Sequence, residues 1–276
     1  MPKEKRKQGQ VLLRPKRDKD SEFAESYELK IYDTKIADLK RIRNNNRMNK
    51  INNNQNFSSI ETILWDWNGT LLDDVDICIT AMNKMLASRN MATINSEFYY
   101  KNFTFPVKIY YEAMGWDFTK QSFDNVSIEF MANYDALFNS SPLHKNTFDT
   151  LEFFKEQGYK QIVVSALENN RLKESLSIHG LDHFFDATYG IENILGGGKI
   201  HLAKRMIEEQ NLIPERTCMI GDTEHDLEVA QAIGTQCILV AHGHHTFERL
   251  QKLNITVVNN FTELKKVLKK VSNFKA

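Results

Sequence analysis

Glu61 to Asp74 reads ETILWDWNGTLLDD. The run from Thr62 to Trp65 is short enough for a strand and apolar enough to be covered on both faces. It ends on Asp66 and passes straight into an Asn-Gly-Thr turn, which delivers a carboxylate to a strand end. An aspartate so placed has the attributes of a nucleophile. Two residues later, where a proton donor for ester cleavage would be wanted, stands Asn68, whose amide has no acidic proton.

Downstream, short apolar runs alternate with helical periods. The runs are TILWD (62–66), QIVVS (161–165), DATYG (186–190), TCMIGD (217–222), CILVA (237–241) and ITVV (255–258). Helices are expected over 148–157, 169–179, 199–210 and 226–233, with Gly158, Gly180 and Gly234 as C-terminal stops. Alternation of this kind predicts an α/β fold: a Rossmann-like parallel sheet core. The first two runs lie far further apart than a crossover needs, so residues 76–142, helical in tone and rich in Met, Phe and Tyr, are expected to form an inserted small helical cap domain over the carboxyl edge of the sheet. The core is then 59–75 with 143–276. The run FTELKKVLKKV near the C-terminus, with Leu264, Val267, Leu268 and Val271 on one face, predicts a terminal helix packed on the core rather than a membrane helix.

Residues 1–58 are a different kind of chain. The first fifty hold 15 Lys+Arg against 8 Asp+Glu, whereas the remainder holds 21 against 28, although the whole is formally neutral. KEKRK, RPKRDKD and the polar tract 44–56 have little to bury, which predicts disorder, with a weakly amphipathic stretch over 21–42. Met48 is a second candidate start. The basic segment is the only feature that would attract a nucleic acid, and a solvated extension is the favoured reading, so no nucleic-acid partner is expected. No apolar run approaches the ~20 residues that span a bilayer, and no secretory leader opens the chain, so a cytoplasmic protein without a membrane partner is expected. Cys78, Cys218 and Cys237 are odd in number and widely spaced, as buried free thiols would be.

In parallel α/β sheets the reacting groups gather where strands end. Asp66, Ser165 and Asp222 stand at such ends, and Lys199 follows Gly196-Gly197-Gly198 at a helix start. Two carboxylates, a lysine and a hydroxyl on one edge suit phosphoryl transfer, in which charge on the phosphoryl oxygens must be neutralised. Magnesium (Mg2+) is the natural ion for Asp66 and Asp222, with Asp226 one helical turn on as a brace or a further ligand. Ser165 and Lys199 would hold the phosphate. The cluster His242-Gly243-His244-His245 lacks the carboxylate or cysteine that would complete a transition-metal site, and His225 is expected at the rim.

The set WDWNGTLLDD, VVS, GGGK and MIGDTEHD, in that order, resembles the motifs of the haloacid dehalogenase-like hydrolase superfamily, with phosphoglycolate phosphatase-like members nearest. The resemblance spans Glu61 to about Val258. It implies that Asp66 attacks phosphorus to form an aspartyl-phosphate, that the backbone carbonyl of Asn68 and the carboxylate of Asp222 join Asp66 around magnesium, and that Thr70, Ser165 and Lys199 contact phosphate. Asp73 matches the acidic residue of the loop into the cap. The family pattern is DxDGT and this chain has DWNGT: the second aspartate, the general acid and base, is replaced by Asn68, a change commonly worth about 10² to 10⁴ in rate. Ala166 stands where relatives often carry asparagine.

The function expected is a magnesium-dependent phosphohydrolase for a small phosphorylated metabolite. One alternative is a phosphonate hydrolase or another hydrolase that needs no acid at Asn68, for which Lys84, Lys101 and Lys108 are candidate Schiff-base lysines. The other is a catalytically weakened phosphate-binding protein.

Overall fold

The computed structural model describes residues 57–191 and 198–269. The readings of the basic segment to Asn56, of Met48, of Gly196 and Gly197, and of Val271 lie outside the described residues. Six strands form one parallel sheet in the order β3-β2-β1-β4-β5-β6: β1 Thr62–Trp65, β2 Lys160–Glu168, β3 Ala187–Ile191, β4 Thr217–Gly221, β5 Gln236–Val240 and β6 Thr256–Val258. Every run expected to be a strand is one.

β1 lies at the centre, with Trp65 in register with Val163 on one side and Ile220 on the other. All four of its residues are buried, because alternate side chains feed two apolar layers. Ile63 and Trp65 join one layer with α5 (Thr147–Glu156), α6 (Asn169–Ile178) and α10 (Phe261–Leu268) through Phe154, Leu172 and Phe261. Leu64 joins the other with α7 (Gly198–Glu209) and α8 (Glu224–Ile233) through Met206 and Val229. Trp65, the largest side chain on the strand, meets Phe261 edge-on at 5.9 Å and donates its indole N–H to Gln161 at 3.0 Å. A polar tip that finds a partner is what permits a tryptophan to be fully buried.

Between β1 and α5 the chain makes four helices: α1 Val75–Ser88, α2 Ser96–Asn102, α3 Val107–Ala113 and α4 Phe123–Phe138. They pack on a third apolar cluster of their own, built from Met82, Met85, Tyr99, Tyr110, Trp116 and Val126 among others. A helix needs a partner for its apolar stripe, and these supply one another's.

The strand order reverses between β1 and β4. At such a switch point the flanking crossovers leave a crevice at the carboxyl ends. Asp66 and Asp222 follow the two strands that border it.

β2 runs further than Ser165. Its pairing with β3 shifts between Val164 and Glu168, a bulge in which the Leu167 N–H turns to the Ser165 hydroxyl at 3.1 Å. The side-chain acceptor satisfies an amide that the ladder leaves unpaired.

Candidate active site

Asp66, Thr70, Lys199, Asp222 and Asp226 are buried and joined by direct bonds. The Thr70 hydroxyl lies 3.3 Å from Asp66 Oδ2 and 3.0 Å from Asp222 Oδ1. Lys199 Nζ donates to Asp66 Oδ1, and to Asp226 Oδ1 at 2.6 Å. Asp226 Oδ2 accepts from the backbone of Asp222 and Thr223 and from the Thr223 hydroxyl at 2.9–3.2 Å. Asp226 thus closes a capping box at the start of α8 while its other oxygen holds the lysine. The backbone N–H of His244 donates to Asp222 Oδ2 at 2.6 Å.

The turn after β1 brings these groups together. Gly69 takes φ +75°, and a Cβ there would lie 2.4 Å from Asp222 Oδ2. Gly243, in the loop after β5, is as tightly placed: a Cβ would come within 2.2 Å of the same oxygen and 2.1 Å of the Gly69 carbonyl. Two imidazoles stacked 3.8 Å apart brace the turn, His144 Nε2 at 3.0 Å from the Gly69 carbonyl and His242 Nε2 at 3.0 Å from that of Thr70. A carbonyl only accepts, so both Nε2 atoms carry hydrogen.

Charge is unbalanced here. Oxygens of Asp66, Asp222 and Asp226 lie within 4.8 Å of one another, facing one lysine. Burial pushes the Asp66 carboxyl up to about 7, with Lys199 opposing and Asp226 and Asp222 adding. Burial lifts Asp222 to about 6 against the charge of His244. Burial also acts on Asp226, but Lys199 outweighs it and holds that carboxyl below the usual range. Lys199 stays charged, since its two carboxylate partners overcome desolvation. Two carboxylates in excess of one ammonium, all oxygen donors, suit a hard divalent cation.

The side chain of Asn68 turns away from this cluster. Its amide donates to Asp74 Oδ2 at 3.0 Å and to the Tyr134 hydroxyl at 2.8 Å, and that hydroxyl donates to Asp74 at 2.6 Å. Asp74 is buried, and its Oδ1 lies 3.3 Å from His244 Nε2. Tyr99 Oη meets the other ring nitrogen at 2.8 Å. Burial alone would lower the His244 pKa, but Asp74 chiefly, then Asp222 and Asp66, hold it up at about 9. Asp74 stays below the ordinary range in spite of burial, mainly through His244.

Sequence reasoning passed over Asp74 and named its neighbour Asp73, which is half-exposed 3.7 Å from His144. The available signal was the aspartate pair itself, six residues past an asparagine in an acid's place. The histidine loop is used for positioning and pairing rather than as a metal cluster. His225 contacts Glu228 at 3.0 Å and packs against Phe105. Ser165 is buried on the strand beside Asp66, with its hydroxyl accepting from Leu167.

The haloacid dehalogenase-like hydrolase family profile matches residues 63–240. The chain belongs to that family. It is 25% identical over 190 residues to pyrophosphatase PpaX of Bacillus mycoides, covering 66% of this chain and 84% of that protein. It is 24% identical over 222 residues to the phosphoglycolate phosphatase of Aliivibrio fischeri, covering 74% of this chain and 94% of that one. Among solved structures, a haloacid dehalogenase-like family hydrolase from Streptococcus pneumoniae superposes with a TM-score of 0.68 at 19% identity, over 76% of this chain and 99% of that one. The chain is a hydrolase by family, and its six-stranded parallel architecture is that of its structural neighbours.

Proposed function

We propose that this hydrolase is a magnesium-dependent phosphatase that cleaves a small phosphorylated metabolite through an aspartyl-phosphate on Asp66. The observation that carries the reading is the Asp66–Lys199–Thr70–Asp222 cluster at the carboxyl end of β1, whose excess negative charge calls for a cation. Phosphatases and pyrophosphatases among its relatives agree with it. Asp66 and Asp222, with the backbone carbonyl of Asn68, would hold magnesium, which when bound supplies charge neutralisation for the phosphoryl oxygens.

The residues divide the remaining work. Asp66 Oδ is the attacking atom. Lys199 offers a fixed positive charge for a phosphoryl oxygen, and Thr70, a hydroxyl donor between two carboxylates, orients Asp66. Ser165, buried on the adjacent strand, would contact phosphate through its hydroxyl. Asp226 braces Lys199 from behind, so the ammonium is held without relying on solvent.

The helical insertion over 76–142 serves as the cap, excluding water and selecting the leaving group. Its support is direct contact with the core: Tyr134 on Asn68 and Asp74, Tyr99 on His244, and Arg249 of α9 (Phe247–Leu250) on the carbonyl of Phe103. A Schiff-base route to carbon–phosphorus cleavage is not favoured, since Lys84, Lys101 and Lys108 are not among the described residues that line the cavity between insertion and core. The setting we propose is the cytoplasm: the three cysteines are unpaired, and no described helix is long and apolar enough to cross a membrane.

Phosphate release from a panel of phosphorylated metabolites tests the proposal. Release by the wild type should require magnesium, stop with a chelator, and fall by about a thousandfold or more in Asp66→Asn. If no phosphoester is turned over with magnesium, the weakened phosphate-binding alternative replaces it.

A further inference from the structure

A cavity of about 240 Å³ opens between the insertion and the end of the sheet, and its inner end is formed by Asn68, Asp74 and His244. Asn68 and His244 also belong to the site, His244 by its N–H on Asp222. Asp66 does not line the cavity, but Asn68 two residues on and His244 on Asp222 border both, so a group leaving phosphorus on Asp66 would have this cavity beside it.

Its walls are unusual for an anionic leaving group. Rings of Tyr99, Phe103, Tyr110, Phe130 and Tyr134 line it, and among the described residues no lysine or arginine does. The His244 ring is engaged on both nitrogens, by Asp74 Oδ1 and Tyr99 Oη, and the other oxygen of Asp74 already accepts from Asn68 and Tyr134. A second phosphate or a carboxylate placed here would be buried beside Asp74 without a cation of its own, and such a charge is strongly disfavoured. A neutral ring would instead meet ring faces and edges. An apolar cavity of ~150 Å³ accepts a benzene-sized guest, so this one holds a single substituted ring.

Two further observations point the same way. The Tyr110 hydroxyl is buried and has no hydrogen-bond partner among the described residues, so a polar substituent reaching it from the cavity that Tyr110 lines would complete it. Asn68 cannot protonate a leaving oxygen, and phenolates, unlike alkoxides, depart without a proton.

We propose that the cavity selects an aryl phosphate monoester, with a neutral single-ring leaving group bearing one hydrogen-bonding substituent. This rests on the phosphatase reading of Asp66. In the first step Asp66 Oδ bonds to phosphorus and the phosphorus–aryl-oxygen bond breaks, its electron pair leaving as phenolate, which takes a proton from water outside the site. Water then attacks phosphorus of the aspartyl-phosphate and the phosphorus–Asp66 oxygen bond breaks, freeing the Asp66 carboxylate and inorganic phosphate, which keeps both of the water's protons.

The test compares kcat/KM of the full chain with magnesium for phenyl phosphate, 4-carboxyphenyl phosphate, phosphoglycolate and inorganic pyrophosphate. The carboxylated ring is the better leaving group in water, so reactivity alone would favour it. The cavity should reverse that order, with 4-carboxyphenyl phosphate slower by about tenfold or more and the two non-aromatic anions slower still. Met131 lines the cavity and is 42% exposed, so Met131→Arg can add a cation without loss of the fold, and it should narrow or invert the phenyl to carboxyphenyl ratio. Faster turnover of 4-carboxyphenyl phosphate, phosphoglycolate or pyrophosphate than of phenyl phosphate by the wild type would overturn the inference while leaving the phosphatase reading intact. Absence of turnover with every phosphoester would overturn both.

Discussion

Position 68 carries an amide where the family resemblance implies an acid, and the structure shows what the amide does. It donates to Asp74 and Tyr134, and only a donor fits: an aspartate would set its oxygen against Asp74 Oδ2, now 3.0 Å from the Asn68 nitrogen. Asn68→Asp therefore does not simply restore the family's acid. It should destabilise the fold by about 3 kcal/mol at pH 8, because two buried carboxylates would share one site. Asn68→Asp combined with Asp74→Asn exchanges the roles and should recover most of that loss. Urea denaturation of the three proteins checks this, and a single variant as stable as the wild type would contradict it. The exchange shows where sequence reasoning stops: Asp66 and Asp222 were singled out at strand ends, Lys199 at a helix start, Asp226 one helical turn beyond Asp222, and Thr70 only through the family resemblance. Asp74 was not, because its partners Tyr134 and His244 come from residues 60 and 170 positions further along.

Elements were easier to read than contacts between them. Central strands covered on both faces must be continuous apolar runs, and that is how β1, β2, β4 and β5 announced themselves, whereas the edge strands β3 and β6 are poorer in apolar residues or shorter, and only partly buried. The insertion was visible as an over-long crossover, but its internal partnership of Tyr, Trp and Met rings follows from three-dimensional packing that no spacing encodes. The loop after β5 is the element on which the site depends most closely. Gly243→Ala would force a methyl against Asp222 Oδ2 and the Gly69 carbonyl, so it should weaken magnesium binding by about tenfold or more, read by calorimetry, while the far-ultraviolet dichroism keeps its α/β form. Arg249 reaches from α9 to Glu224 at 2.8 Å and to Thr104 at 3.3 Å. Arg249→Ala should speed amide exchange in the 102–107 stretch of the insertion more than in the sheet, and global stability should change by about 1 kcal/mol.

For the whole molecule, stability, pH and metal are linked through the site. Asp66, raised to about 7, and Asp222, raised to about 6, are more easily ionised unfolded than folded. Without metal they reduce stability as pH rises from their ordinary range of about 4 towards those values. His244, raised to about 9, contributes stability that is fully present below about 6.5 and is lost as pH passes through about 9. Burial lowers His242 and His245 to about 3, and their discharge in the unfolded chain opposes this loss up to about 6.5, so the metal-free protein should lose stability from about pH 7 to 9, and magnesium at a hundredfold excess over its Kd should restore about 2.7 kcal/mol. Thermal melts across that range, with Asp222→Asn as the variant that no longer responds to magnesium, measure both effects. The most direct test of the phosphatase account is rapid acid quench of the wild type during turnover of phenyl phosphate with magnesium, followed by peptide mass spectrometry. The expected result is phosphate carried on Asp66 and on no other residue, absent from Asp66→Asn. Steady phosphate release with no label on Asp66 at any quench time, or release that persists in Asp66→Asn, would contradict it.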